Sequence, residues 1–261
     1  MKKLSGKNAF ISGSSRGIGL ACAKAIAEQG ANVFLVATNE VLLNEVTSAI
    51  QQRSAVQVGF HAVDLRTLEG CQQASHAFLE RFGQADILVN SAGATKGGIF
   101  PEQSDEEMID GFALKFHGAV RLCRQLWPSL KQSNGTVINI VGGAARSPSG
   151  DFMVGGSVNA ALANFSKALA AQGLVDDVNV NWVLPGMTET ERMERLLEGK
   201  AKMQNKSKDE VRADSIRNEG IRRLGLPEDV AELVVFLCSP AARHIQGAGI
   251  PVDGGAGKGY Y

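Results

Sequence analysis

The run Ser12-Gly13-Ser14-Ser15-Arg16-Gly17-Ile18-Gly19 sets three glycines between a short apolar segment and a helix-like one, a context that suits phosphate binding. Gly13 permits a tight turn, Gly17 lets backbone approach a pyrophosphate, and Gly19 lets helix pack on strand. The helix N-terminus meanwhile offers unpaired N–H groups and a positive dipole to an anion. A second segment selects the nucleotide. Val36-Ala37-Thr38-Asn39 carries no carboxylate to bond a ribose 2′-hydroxyl or repel a 2′-phosphate, and Arg16 and Thr38 are available to hold that phosphate. These residues point to NADP(H) as the preferred cofactor, with NAD(H) as the alternative.

The elements that must position this loop follow from hydrophobic patterning. Short apolar runs bounded by turn residues alternate with helix-like stretches, which predicts an α/β protein whose doubly wound parallel sheet is covered on both faces. Seven strands are expected, at Asn8–Ser12, Asn32–Ala37, Val56–Ala62, Ile87–Asn90, Thr136–Val141, Val178–Leu184 and Gly249–Val252. Helices are expected at Gly17–Gln29, Val41–Arg53, Leu68–Phe82, Asp105–Leu130, Ser157–Ala171 and Pro227–Leu237. Thr188–Arg223 breaks the rhythm. It holds ten Lys or Arg against eight Asp or Glu, with Lys200, Lys202, Lys206 and Lys208 uninterrupted by an acid, and its length predicts a lid-like or binding element.

A chain of 261 residues suits a single large domain. Its 27 basic and 27 acidic residues cancel, so nothing in the overall field favours nucleic acid or an anionic membrane. Cys22, Cys71, Cys123 and Cys238 are scattered without metal-ligand spacing, which suits reduced thiols in cytoplasm and predicts no metal. Met1-Lys2-Lys3 leads into a polar turn instead of a signal-type apolar run, and no stretch approaches membrane-spanning length, so a cytoplasmic protein is expected.

Further motifs extend the nucleotide reading. Asp64-Leu65 closes the third expected strand, Asn90-Ser91-Ala92-Gly93 the fourth, and Pro185-Gly186 with Thr188 and Thr190 the sixth; Arg223-Leu224-Gly225-Leu226-Pro227-Glu228-Asp229-Val230 leads to Val252-Asp253-Gly254-Gly255. With the Gly-x-x-x-Gly-x-Gly loop, this set resembles the short-chain dehydrogenase/reductase family, in particular its 3-oxoacyl-carrier-protein reductases, along nearly the whole chain. The resemblance implies a Rossmann-like fold, a small-molecule substrate and a homo-oligomer, tetramer or dimer. It implies that Asp64 faces the adenine amino group, that Leu65, Asn90, Ala92 and Gly93 line the nucleotide site with Ser15 and Ile18 of the loop, and that Pro185, Gly186 and Thr188 hold the nicotinamide carboxamide.

The same resemblance exposes an altered catalytic half. Residues 155–162, Gly-Gly-Ser-Val-Asn-Ala-Ala-Leu, overlie a family pattern of Tyr-Ser-Ala-Ser-Lys-Ala-Ala-Leu, so Gly155 stands at the tyrosine and Asn159 at the lysine. Ile138-Asn139-Ile140-Val141-Gly142 places Gly142 at the serine, thirteen residues before Gly155 as in the family, and Lys115-Phe116-His117-Gly118 places Lys115 at the helix asparagine. The chain's only tyrosines are Tyr260 and Tyr261, behind a glycine-rich tail that, in a family tetramer, can lie against a neighbouring site. General acid–base assistance is worth roughly 10²–10⁴ in rate, so a redox enzyme of this kind needs another donor. Lys115 is the best internal candidate: an ammonium donates, and a cationic nicotinamide nearby lowers its pKa; the plain alternative is a helix-face lysine paired with Asp110. Asn159 retains the capacity to bond ribose hydroxyls. His117 points to a different helix face, and Ser147, Ser149, Asp151 and Ser157 flank the substrate side.

The reading is therefore an oxidoreductase moving hydride between NADP(H) and a small carbonyl or secondary alcohol, with a nonstandard proton relay. Two alternatives stand beside it: a nucleotide-binding sensor or structural subunit without turnover, and a non-redox lyase or isomerase using Lys115 as base.

Overall fold

Parallel strands buried on both faces need apolar residues at every position, and β1 (Asn8–Ser12) shows this directly: Ala9, Phe10 and Ile11 are fully buried. The computed structural model describes residues 2–93 and 95–257. The remaining strands are β2 (Asn32–Ala37), β3 (Val58–Ala62), β4 (Ile87–Asn90), β5 (Thr136–Ile140), β6 (Asn179–Pro185) and β7 (Gly249–Val252). They form one parallel sheet in the order β3-β2-β1-β4-β5-β6-β7. The doubly wound, seven-stranded, single-domain fold expected from patterning is the fold observed, with four strands at the expected bounds. The chain reverses its direction of travel across the sheet between β1 and β4, which opens a crevice at their C-terminal ends.

Nine helices among the described residues cover the sheet: α1 (Gly17–Glu28), α2 (Glu40–Arg53), α3 (Leu68–Phe82), α4 (Asp105–Gly111), α5 (Gly118–Ser133), α6 (Met153–Asp176), α7 (Glu191–Gln204), α8 (Lys208–Glu219) and α9 (Pro227–Leu237). One face is filled by Ile26 of α1, Leu43 of α2 and Val234 of α9. The other is filled by Phe78 of α3 with Leu122, Leu126 and Leu130 of α5. No helix among the described residues is long and apolar enough to cross a membrane. All four cysteines are unpaired, and burial pushes the Cys22 and Cys123 thiols up to about 12 and that of Cys71 to about 11, which marks them as packing residues.

Three expectations need correction. The single helix expected over Asp105–Leu130 is split: between α4 and α5, Phe112–His117 winds as one wide i→i+5 turn, an insertion typical of functional sites because it re-aims side chains. The helix expected from Ser157 starts at Met153, because Val154, Gly155 and Gly156 are buried against neighbours and tertiary packing overrides the poor helix propensity of paired glycines. Thr188–Arg223 is no loop but the α7–α8 pair. Thr190 caps α7, a Ser207–Glu210 capping box starts α8, and Leu197, Ala201, Val211, Ile221 and Leu224 form a small core of their own.

Phe78 lies edge-on to Phe10 and Phe34, with ring centroids at 5.5 and 5.6 Å. Phe78→Ala is expected to destabilise the protein by about 3–5 kcal/mol in urea unfolding, and a loss below about 1 kcal/mol would contradict this packing.

Candidate active site

The crevice between β1 and β4 is held by very close backbone contact. Gly13 has φ +67°, and a Cβ there would lie 2.8 Å from the Ala92 nitrogen and Cα. On the opposite side a Cβ on Gly19 would lie 2.2 Å from the Gly13 carbonyl oxygen, so Gly19 lets α1 close onto the loop itself. Ser12, which the motif reading passed over, clamps the junction: its Oγ accepts from the Ser91 and Ala92 N–H groups at 3.0 and 3.1 Å. Ser14 is likewise structural, donating to the Ile11 carbonyl and accepting from Val36 N–H, both at 2.9 Å.

These contacts place the start of α1 at the mouth of the crevice. Helices α2, α3, α4, α7 and α8 each have a side-chain cap and an acidic residue in the first turn, whereas α1 has neither. Its first N–H groups and dipole are left to an external anion, which fits a pyrophosphate. A Cβ on Gly17, which has φ +57°, would lie 3.4 Å from the Thr190 methyl, Ser15 and Ile18 are half-buried beside it, and Arg16 is exposed, paired with Glu191 at 3.4 Å. Thr38 is exposed at the end of β2, and the side chain of its neighbour Asn39 is engaged in capping α2.

Deeper in, the expected nucleotide residues divide. Asp64 is exposed and accepts from the Arg66 N–H at 3.0 Å, while Leu65 is buried in the core and leaves only its main chain to a ligand. Asn90 turns its side chain away from the crevice, donating to Asn139 Oδ1 at 2.8 Å; Asn139 in turn donates to Ser166 Oγ at 2.8 Å, linking β4, β5 and α6. Gly93 is exposed at the rim. Pro185 ends β6, a Cβ on Gly186 would meet Asp253 Cα at 2.8 Å, and Thr188 donates to the Gly186 carbonyl at 3.1 Å.

The wide turn brings Lys115 into this same space. Its stem passes over Gly93, where a Cβ would lie 2.9 Å from Lys115 Cδ, and its ammonium donates to the Val141 carbonyl just beyond β5. Burial pushes its pKa down to about 7, with the Arg192 charge adding to the effect. Asp110 pairs with Arg66 at 2.5 Å and not with Lys115, and His117 is exposed.

Gly142 and Gly155 are more than truncated side chains. Gly142 sits at φ +121° and ψ 146°, backbone essentially reserved for glycine. Above Gly155 lies the ring of Phe152, 2.0 Å from where a Cβ would stand. Asn159 is 4% exposed; its amide donates to the Gly155 carbonyl at 2.7 Å, and its Oδ1, next to Gly142, has no partner among the described residues. A ribose hydroxyl is the kind of donor that oxygen lacks. Two contributors escaped sequence reading. Phe152 and Arg192 meet by a cation–π contact, with the guanidinium carbon 5.7 Å from the ring centroid, and Arg192 also donates to the Thr95 carbonyl at 2.8 Å. No local sequence signal marks either. Tyr260 and Tyr261 lie outside the described residues.

Comparison with known proteins gives the family. The family model described as enoyl-(acyl carrier protein) reductase matches residues 13–257. The chain is 33% identical over 258 residues to the uncharacterized oxidoreductase YvaG of Bacillus subtilis, covering 97% of this chain and 96% of that one. It is 30% identical over 256 residues to the 3-oxoacyl-(acyl-carrier-protein) reductase FabG of Vibrio cholerae, covering 97% and 98%. Among solved structures, L-sorbose reductase from Gluconobacter frateurii, complexed with NADPH and L-sorbose, matches with a TM-score of 0.95 at 34% identity, covering 99% of this chain and 100% of that one. The chain belongs to the short-chain dehydrogenase/reductase family.

The packing of Phe152 on Gly155 gives a sign-changing test. Gly155→Ala is expected to lower the thermal midpoint in the wild-type background, because the new methyl collides with the ring. In Phe152→Ala the same change is expected to be neutral or to stabilise by up to about 1 kcal/mol. Equal effects in both backgrounds would refute the contact.

Proposed function

We propose that this chain is an NADP(H)-dependent oxidoreductase acting on a small carbonyl or secondary alcohol, with Lys115 supplying the proton that the family's tyrosine supplies elsewhere. The supporting observation is the near-neutral ammonium of Lys115, half-buried between Gly93 and the Val141 carbonyl. In this reading the family's serine, tyrosine and lysine are absent, their positions being Gly142, Gly155 and Asn159.

The cofactor, when bound, supplies or accepts the hydride. The residues do the rest. Gly13, Ser15, Arg16, Gly17, Ile18 and Gly19 hold the pyrophosphate and, with Thr38, the 2′-phosphate. Asp64 and the main chain of Leu65 and Asn90 face the adenosine, with Ala92 and Gly93 as small neighbours. Asn159 Oδ1 accepts from a ribose hydroxyl, and Pro185, Gly186 and Thr188 bound the nicotinamide side. As the carbonyl carbon gains hydride, Lys115 passes its proton to the oxygen and becomes an amine, later reprotonated from solvent; oxidation of an alcohol runs the other way. The assistance asked of Lys115 is about 3–5 kcal/mol, the usual worth of a positioned general acid. The α7–α8 pair acts as the lid, and exposed Leu174 and Val175 at the end of α6 support association into a dimer or tetramer.

Two outcomes check this. Purified protein is expected to bind NADPH at least tenfold more tightly than NADH in a fluorescence titration, and Arg16→Ala to erase most of that preference; equal binding by the wild type removes the assignment. Reduction requires the ammonium, present below a pKa of about 7 and lost above it, so kcat/KM for reduction is expected to fall as pH rises through about 7 while alcohol oxidation rises. Lys115→Ala is expected to lose about 10²–10⁴ in kcat along with that inflection. Turnover unchanged by the substitution defeats the role. No turnover over a broad panel with cofactor bound favours the sensor reading.

A further inference from the structure

The side chains around the pocket leave an electrostatic imbalance. Arg192, in the first turn of α7, reaches back across the mouth to the Thr95 carbonyl and to the face of Phe152, whose ring lies over Gly155. The acids nearest it in sequence are engaged elsewhere: Glu189 with Arg212 at 2.9 Å, Glu191 with Arg16 at 3.4 Å and Glu194 with Lys208 at 2.8 Å. On the opposite wall Asp110 is taken by Arg66. Among the described residues, neither Arg192 nor Lys115 is paired with a carboxylate. Arg192 Nη2 has Thr95; its Nε and Nη1 have no partner among the described residues.

Two cations thus border one mouth, close enough for Arg192 to act on Lys115, with the Lys115 stem over Gly93, the Phe152 ring over Gly155 and no side chain on Gly142. Arg192 is exposed and Lys115 half-buried; like charges brought together repel, and an incoming anion relieves that repulsion and engages the free guanidinium N–H groups. A planar guanidinium with free N–H groups on one edge matches a carboxylate bidentately.

We infer that the pocket takes a small oxo acid, or the corresponding hydroxy acid, whose carboxylate is gripped by Arg192 while its reacting oxygen faces Lys115. This rests on the proposed reductase reading for the reaction, though not for the binding. Arg192 sets substrate class. Lys115 remains the proton donor, and hydride and proton add across the carbonyl as described above.

The test uses the full chain with NADPH and three acids, 2-oxobutanoate, 3-oxobutanoate and 4-oxopentanoate, each against its methyl ester. At least one acid is expected to exceed its ester by about tenfold or more in kcat/KM, the usual worth of a charge-assisted contact. In Arg192→Gln that acid-to-ester ratio is expected to fall towards one, mainly through KM, with Arg192→Lys retaining part of it. Esters used as well as acids by the wild type overturn the inference whatever the variants do. So does Arg192→Gln lowering acid and ester alike, which is what a purely structural latch produces. If no carbonyl is turned over, the reductase reading fails and calorimetry decides the anion site separately: acid binding weakened about tenfold by Arg192→Gln upholds it, and no binding of any acid to the wild type overturns it.

Discussion

The Gly13 turn, pressed between α1 and the Ser91–Ala92 backbone, is the constraint from which the site follows. A Cβ at either glycine of that sandwich would sit 2.2–2.8 Å from backbone atoms, distances no relaxation of a side chain can relieve. Because Ser12 Oγ accepts from both Ser91 and Ala92 N–H groups, the end of β1 and the end of β4 are one rigid junction at the point where the sheet's connections reverse direction. An uncapped helix start and the exit of β4 therefore face a common crevice. Residues at the ends of six strands and from the α7–α8 pair converge there only because this junction is closed.

Around that junction glycines and cations meet. The Lys115 stem passes over Gly93 and the Phe152 ring lies over Gly155, while Gly142 adopts a φ of +121°. Lys115, delivered by the wide turn between α4 and α5, and Arg192, delivered by the first turn of α7, lie beside these glycines. Desolvation of an ammonium beside a guanidinium disfavours the charged state of the lysine and brings its titration near neutrality, where proton transfer in both directions is accessible.

Much of this was legible along the chain. Continuous apolar runs identified every strand of the sheet, since strands covered on both faces carry no alternation to confuse. The resemblance singled out Gly142, Gly155, Asn159 and Lys115, and the fold sets Asn159 beside both Gly142 and Gly155 and passes the Lys115 stem over Gly93. Errors fell where tertiary context overrides local preference. Gly155-Gly156 concealed the first turn of α6, and dense charge made the α7–α8 pair read as an open segment although Ser207 and Glu210 form a recognisable cap. Arg192 and Phe152 were missed for a different reason. One more arginine in a charged stretch is unremarkable until its neighbours' partners are known.

Local chemistry in the chain was enough to determine the class of fold, the glycine loop, the absent carboxylate after β2 and the missing phenol, because each depends on residue type and short-range spacing. Only the folded state decided which cations are left without acids. That depends on which of several equally charged neighbours reaches which partner across the α7–α8 pair, on a helix turn widened by one residue, and on an aromatic ring folding onto a glycine three positions away. The pairings around the α7–α8 pair join residues far apart in the chain, and the short-range wide turn and ring contact are set by what packs against them.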